Sequence, residues 1–213
     1  MFILNQNNSI ANQFLAELRS IHIQKDRLRF RKNLERVGEI LAYEVSKELP
    51  YSLHTITSPL AQVETPLLKE QPVIIAVLRA AIPFYQGILN FFDHADSGFI
   101  GAYRKEGEEH IEISLNYLAS PDLTGKTVIM VDPMLATGKS FLKSIEALKG
   151  YGKPKQIEIV CAFAAPEGLE HIQENLELPY RFWIGALDEK LNQQSYIVPG
   201  LGDAGDLAFG PKI

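Results

Sequence analysis

The sequence predicts an α/β fold in which a parallel sheet is flanked by helices. Apolar runs at 73–78, 128–131 and 157–163 show no polar alternation, which is typical of strands buried on both faces of a sheet. Helical patterns separate these runs, as expected where parallel strands are joined by helical crossovers. With 213 residues, 46% of them hydrophobic, the chain is long enough for one domain, 1–213, with a sizeable core.

Each predicted element follows from a local pattern. Apolar residues at helical spacing indicate a long amphipathic helix that Pro50 ends, and Gly150 closes a later helix. In chain order we predict a helix over 24–49, a strand over 73–78, a helix over 82–92, strands over 99–103 and 111–118 around a polar tip at 105–109, a strand over 128–131, a helix over 139–149, a strand over 157–163, a helix from Pro166 and a strand over 180–184. The last twenty residues, rich in Gly and Asp, are predicted to form an ordered loop.

The composition indicates a soluble, cytoplasmic protein. The 21 basic and 26 acidic residues give a formal net charge of −5, without the basic stripe that nucleic-acid-binding proteins usually carry. The single cysteine, Cys161, lies in an apolar run and is expected to be a buried core residue in a reducing compartment. No apolar run approaches the ~20 residues that a transmembrane helix needs. We therefore expect neither a nucleic-acid partner nor a membrane partner.

Two glycine-bearing motifs match well-known signatures only in part. Residues 133–140, P-M-L-A-T-G-K-S, end like a Walker A loop, but Pro133 stands in place of the leading Gly and lacks an N–H for a phosphate. Residues 200–205 match G-x-G-x-x-G, yet only eight residues follow Gly205, too few for the helix and the ribose-binding acid of a dinucleotide site. The sequence therefore disfavours a P-loop NTPase and excludes a Rossmann site.

A third interpretation concerns the first motif together with its surroundings. The predicted strand over 128–131 ends at Asp132, a loop of small residues follows, and a helix begins at its end. Backbone N–H groups of such a loop and helix N-terminus can bind a phosphate dianion. The Asp132 carboxylate can accept hydrogen bonds from two neighbouring hydroxyls, so the pattern fits a ribose 5-phosphate. The alternative is an ordinary strand-turn-helix unit whose loop only caps the helix.

The sequence resembles a known family, the uracil phosphoribosyltransferases. Residues 131–138, V-D-P-M-L-A-T-G, look like the family's loop for phosphoribosyl pyrophosphate (PRPP), and residues 196–206, Y-I-V-P-G-L-G-D-A-G-D, look like its uracil-binding segment. Residues 78–80, 103–104 and 164–168 match further blocks in the expected order. The resemblance implies a type I phosphoribosyltransferase fold, with a small hood contributed by the chain ends and a flexible hairpin.

The resemblance also implies roles for individual residues. Asp132 holds the ribose hydroxyls, and Arg79 and Arg104 contact the pyrophosphate, for which a guanidinium offers paired donors. Asp203 contacts PRPP and its magnesium, so Arg104, Asp132 and Asp203 form the expected catalytic set. The 5-phosphate is bound by Pro133, Met134, Leu135, Ala136, Thr137, Gly138, Lys139 and Ser140. As an alternative, Arg79 could simply end a strand and pair with a surface carboxylate.

The implied reaction is the conversion of uracil and PRPP to UMP and pyrophosphate in pyrimidine salvage. Uracil is recognised largely by backbone groups near Ile197, Gly202 and Ala204, beside Asp203. Mg²⁺ is the implied cofactor; it is carried by the pyrophosphate near Asp203 rather than by a dedicated protein site. The resemblance further suggests a homodimer or homotetramer, and GTP as a candidate activator.

The sequence departs from the family at several positions. Lys139 stands where the family usually has Gly, Ala81 where Gly is common, and Leu207 where a basic residue is usual. Gln194 and Ser195 replace the common His-Gly pair. Because a fold does not fix a function, a nucleotide-sensing RNA-binding regulator on the same fold stays as an alternative, although the acidic net charge counts against it.

Overall fold

The computed structural model describes residues 1–104 and 113–211, with the backbone alone at 102–104 and 113–116. The predicted polar tip at 105–109 lies outside the described residues. In chain order the elements are β1 (Phe2–Ile3), α1 (Ala11–Arg19), α2 (Arg27–Ser46), β2 (Tyr51–Thr57), β3 (Gln62–Leu68), β4 (Val73–Leu78), α3 (Ala81–Leu89), β5 (Asp96–Arg104), β6 (Ile113–Ala119), β7 (Thr127–Val131), β8 (Met134–Leu135), α4 (Lys139–Leu148), β9 (Gln156–Ala164), α5 (Pro166–Asn175), β10 (Tyr180–Leu187), β11 (Lys190–Leu191), β12 (Ile197–Val198) and α6 (Ala204–Phe209).

The central sheet has the strand order β1-β10-β9-β7-β4-β5-β6, and β8 pairs with β9 beyond the end of β7. Its described pairs are parallel except for β5 and β6, which are antiparallel. Neighbouring residues of the strands point to opposite faces, so each apolar strand feeds two cores. Helices α1, α2 and α3 cover one face, and α4 and α5 cover the other. The predicted α/β class with a parallel sheet is confirmed.

The long amphipathic helix forms, although it is shorter than the predicted 24–49. It begins at Arg27, because the Asp26 side chain caps it by accepting the Arg29 N–H at 3.0 Å. The predicted apolar stripe, which includes Leu34 and Val45, is fully buried against the sheet. Cys161 is buried as predicted, and burial raises the pKa of its thiol well above the usual value.

The prediction of a loop over the last twenty residues is wrong, because β12 and the short helix α6 lie there. Sequence analysis also missed α1, which a charged network ties to α2. The Glu17 carboxylate accepts hydrogen bonds from Arg29 (2.7 and 2.9 Å), Asn33 (2.7 Å) and Gln13 (3.0 Å). These bonds, those from Arg29 first, lower the pKa of Glu17 to about 2.

A second missed feature is the antiparallel hairpin of β2 and β3, which pairs with no other strand of the described residues. Large apolar side chains are exposed on both of its faces. Leu53 is 68% exposed, and Leu60 at the turn is 97% exposed. An isolated two-stranded hairpin has marginal stability in water, so this hairpin depends on further contacts. No helix of the described residues is long and apolar enough to cross a membrane.

Candidate active site

The predicted site residues follow neighbouring strands at one edge of the sheet. Asp132 comes directly after β7, Arg79 directly after β4, and Arg104 is the last residue of β5. Ala76 of β4 lies opposite Val131 of β7, so these strand ends lie side by side. Ligands of open α/β sheets bind at the carboxyl ends of the strands. The structure therefore gathers these positions at the expected edge; the side chain of Arg104 lies outside the described residues.

The loop after Asp132 is held against β9 by its backbone. The N–H groups of Ala162 and Phe163 donate to the Pro133 carbonyl at 3.1 and 2.9 Å, and the Ala165 N–H donates to the Leu135 carbonyl at 3.0 Å. These bonds continue the parallel pairing of β8 with β9. The loop is therefore a rigid extension of the sheet rather than an open surface turn.

Two glycines allow the loop to approach the start of α5. Gly138 has a φ of +73°, a left-handed conformation that side chains disfavour, and a Cβ there would lie 2.7 Å from the Gly168 carbonyl oxygen. A Cβ on Gly168 would lie 2.3 Å from the Ala136 carbonyl oxygen. Real Cβ atoms do not approach a carbonyl oxygen this closely. Both positions therefore require glycine for the loop to keep its place.

The N-terminus of α4 opens onto this loop. Its cap residue, Gly138, has no side chain to satisfy the first N–H groups, and the Thr137 hydroxyl accepts the Lys139 N–H at 3.4 Å. Lys139 is exposed, and Ser140 is half-buried. Unsatisfied N–H groups and the positive end of a helix dipole attract a phosphate dianion, and Lys139 adds a cation beside them.

Asp132 is half-buried, and a backbone donor orients its carboxylate. Its Oδ1 accepts the Met134 N–H at 3.0 Å. This bond fixes the side chain at the mouth of the loop. A carboxylate held in this way can accept hydrogen bonds from hydroxyl groups of a ligand.

Arg79 pairs with a partly exposed carboxylate, Asp206, in the C-terminal segment. Its Nη2 lies 3.3 Å from Asp206 Oδ1 and 3.5 Å from the Gly210 carbonyl oxygen. Asp203 caps α6, because its Oδ1 accepts the Asp206 N–H at 2.9 Å. The structure therefore brings together Arg79 and Asp203, two residues far apart in sequence that were both predicted for the site.

The segment around Ile197 contains deeply buried residues and two glycines with positive φ. Ile197 is 5% exposed in β12, which pairs with β11, and Ala204 is 3% exposed. Gly200 and Gly202 have φ values of +55° and +95°. A Cβ on Gly200 would lie 2.1 Å from the Ile197 carbonyl oxygen, so the turn there requires glycine.

Sequence reasoning missed an ion pair that supports this turn. Arg19 of α1 pairs with the buried carboxylate of Asp188, and its Nη1 also donates to the Gly200 carbonyl at 3.0 Å. Asp188 Oδ2 accepts the Gly200 N–H at 2.9 Å, and the Arg19 guanidinium lies 4.4 Å from the centre of the Phe163 ring. Both backbone groups of Gly200 are therefore bound by one charged pair.

The described residues do not bring three or more His, Cys, Asp or Glu side chains together as a metal cluster. Of the acids near this edge, Asp132 follows β7, whereas Asp203 and Asp206 lie in the C-terminal segment. This donor set fits a magnesium ion that arrives on phosphates, since Mg²⁺ is commonly bound by one or two carboxylates together with substrate phosphates and water.

The model of the family described as "Uracil phosphoribosyltransferase" matches residues 5–211. A protein of that name from Porphyromonas gingivalis is 44% identical over 211 residues, 99% of this chain and 98% of its own. The chain belongs to the uracil phosphoribosyltransferase family. A member from Pyrococcus furiosus is 40% identical, over 94% of this chain and 86% of its own. The resemblance found in the sequence is thereby confirmed.

Solved structures show the same fold. The AQ2163 protein from Aquifex aeolicus is 31% identical and superposes with a TM-score of 0.86 over 100% of both chains. A hypoxanthine phosphoribosyltransferase from Staphylococcus aureus, 16% identical, superposes with a TM-score of 0.50 over 76% of each chain, which shows the shared fold alone. The type I phosphoribosyltransferase fold is confirmed. The two alternative functions, a P-loop NTPase and an RNA-binding regulator, are not supported by these relatives.

Proposed function

We propose that this protein transfers the phosphoribosyl group of PRPP to uracil and forms UMP and pyrophosphate. The observation that carries the proposal is the meeting, at one sheet edge, of a glycine-bearing phosphate loop, Asp132 and the C-terminal segment that contacts Arg79. In the reaction, a uracil ring nitrogen bonds to the anomeric carbon while the bond from that carbon to pyrophosphate breaks. The nitrogen loses its proton to solvent.

The 5-phosphate is proposed to lie against the N–H groups from Thr137 to Ser140. The N-terminus of α4, whose cap residue Gly138 has no side chain, supplies donors there, and Asp132 accepts bonds from the ribose hydroxyls. Holding the ribose at both ends orients the anomeric carbon for attack, which is a large part of catalysis in transfers without a covalent nucleophile. Positive charge on the sugar ring in the transition state is stabilised by nearby carboxylates.

Pyrophosphate is proposed to bind Arg79 and Arg104, near Asp203. Asp203 Oδ1 serves as the cap of α6, and its other oxygen is proposed to hold Mg²⁺ or a water bound to it. The ion, when bound with PRPP, neutralises charge on the leaving pyrophosphate. The chain's own part in this proposal is to place the Arg79 guanidinium and the Asp203 carboxylate beside the leaving group, with Arg104 as a further proposed contact.

Uracil is proposed to pair with backbone groups around Ile197, Gly202 and Ala204. The Arg19–Asp188 pair supports this by fixing the turn at Gly200. The helices α1 and α6, from the two chain ends, form the proposed hood. Arg31 of α2 binds this hood, because its Nη1 donates to the Ala208 carbonyl of α6 at 2.8 Å. A carbonyl–N–H–carbonyl edge matches fixed donors and acceptors, and a mismatched buried group costs about 1–3 kcal/mol.

The deciding experiment is to incubate the protein with Mg²⁺, PRPP and each nucleobase in turn. We expect UMP and pyrophosphate with uracil, and rates roughly 5- to 150-fold lower with cytosine or a purine, because one mismatch costs about 1–3 kcal/mol. Comparable rates with cytosine would contradict the base assignment. ATP turnover without PRPP would contradict the proposed function. Adding GTP to the same assay tests the proposed activator.

Lys139→Gly should change UMP formation by less than about tenfold, because a partly solvated charge contact contributes roughly 0–1 kcal/mol. Loop and helix N–H groups hold the phosphate in this proposal, whereas a Walker A lysine is indispensable. Any loss of activity should come from weaker PRPP affinity. The difference from wild type should shrink as the salt concentration is raised. Lys153→Gly, at an exposed position away from the loop, is the control. Abolished turnover in a folded Lys139→Gly protein would overturn this account of the loop.

We also propose that the protein is cytoplasmic. We further propose that it forms a homodimer or homotetramer through the β2–β3 hairpin. The apolar side chains on both hairpin faces support this, since a second copy would cover them. Leu53→Glu should therefore shift the protein toward monomers in light scattering. Leu28→Glu is the matched control, because Leu28 is equally exposed at 68% but lies on α2. An unchanged mass for Leu53→Glu would remove the hairpin from the interface.

A further inference from the structure

Asp206 has no role in the site described so far, yet it contacts two residues of that site. Its carboxylate pairs with the Arg79 guanidinium at 3.3 Å, and its backbone N–H donates to Asp203 Oδ1 at 2.9 Å. The Cβ position of Gly205 lies 3.2 Å from Asp203 Oδ1 and 3.8 Å from Arg79 Nη2. Both groups that are proposed to meet the pyrophosphate therefore surround the start of α6.

The contact between Asp206 and Arg79 is weak and open to solvent. The two side chains are 39% and 42% exposed, and the pair meets through a single nitrogen rather than through a bidentate fork. Exposed pairs of this kind contribute little to stability, so a ligand can separate them. The neighbouring Leu207 is uncharged and packs partly buried against the core. It therefore brings no cation to Asp206. Within the described residues, Arg79 is the cation that Asp206 meets.

We infer that Asp206 is an internal anion that occupies Arg79 in the free enzyme and exchanges with the pyrophosphate group of PRPP. This inference rests on the proposed function. When PRPP binds, phosphate oxygens replace the carboxylate on Arg79, and when pyrophosphate leaves, Asp206 returns. Asp206 thus acts through Arg79 and does not touch the substrate itself. Its negative charge also opposes tight retention of the product.

The test measures magnesium pyrophosphate binding by calorimetry for wild type and Asp206→Asn. Asparagine keeps the backbone N–H bond to Asp203 but removes the charge that competes for Arg79. We expect the Kd for magnesium pyrophosphate and the KM for PRPP to fall about two- to fivefold, the range that one exposed ion pair supplies. The KM for uracil should stay unchanged, and the gain should shrink with added salt. Asp93→Asn, at an exposed acid after α3, is the charge control.

A double-substitution experiment separates competition for Arg79 from general repulsion. In an Arg79→Gln background, Asp206→Asn should bring little further gain in pyrophosphate affinity. A full gain in that background, or an unchanged or raised Kd for Asp206→Asn alone, would overturn the inference. Wild-type protein that neither binds pyrophosphate nor forms UMP would instead overturn the proposed function. The two failures are therefore distinguishable.

Discussion

Gly168→Ala is expected to lower kcat/KM for PRPP by more than about tenfold, since displacements near 1 Å at a reacting centre have effects of this size or larger. The added Cβ would lie 2.3 Å from the Ala136 carbonyl oxygen, 3.0 Å from the Ala136 carbonyl carbon and 3.1 Å from the Leu135 carbonyl oxygen. All three atoms belong to the backbone of the phosphate loop. They cannot move aside as a flexible side chain would, so the loop itself must shift.

The matched control for this variant is Gly150→Ala. Apart from the adjoining backbone, no atom lies within 4 Å of a Cβ at Gly150, and its φ lies outside the left-handed region. We expect wild-type steady-state kinetics from this control, and native circular dichroism from both variants. If Gly168→Ala is folded and retains wild-type kcat/KM, the close approach of loop and α5 does not matter for phosphate binding.

Asp132→Asn is expected to lower PRPP affinity or turnover by at least about tenfold, because each charge-assisted bond to the ribose hydroxyls contributes roughly 1.5–3 kcal/mol. The asparagine carbonyl can still accept the Met134 N–H, so the fold should persist. Initial rates over a range of PRPP concentrations measure the loss, with Asp93→Asn as an exposed control. Wild-type kinetics would remove Asp132 from the site.

Features that depend on contiguous residues could be predicted from the sequence. The buried parallel strands appear as unbroken apolar runs, and β4, β7 and β9 have close to the predicted bounds. The phosphate loop lies between a strand and a helix that are both evident locally. The local pattern alone was therefore enough to place Asp132 at the end of a strand and Gly138 at the start of a helix.

Features that depend on distant pairing could not be predicted. Arg19 and Asp188 lie 169 residues apart in sequence, and neither belongs to a recognisable motif. The helix α6 spans only six residues, and its cap at Asp203 lies in a stretch whose glycines suggest a loop. The hairpin of β2 and β3 was missed because alternation between polar and apolar residues is weak when both faces are exposed.

The Arg19–Asp188 pair joins parts of the chain that lie 169 residues apart in sequence. The loop after Asp132 and its supports, by contrast, all lie within residues 132–168. The loop is therefore built from near neighbours in sequence, whereas the turn at Gly200 is held by a residue of α1. A change that displaces α1 is expected to disturb this turn and to leave the loop in place.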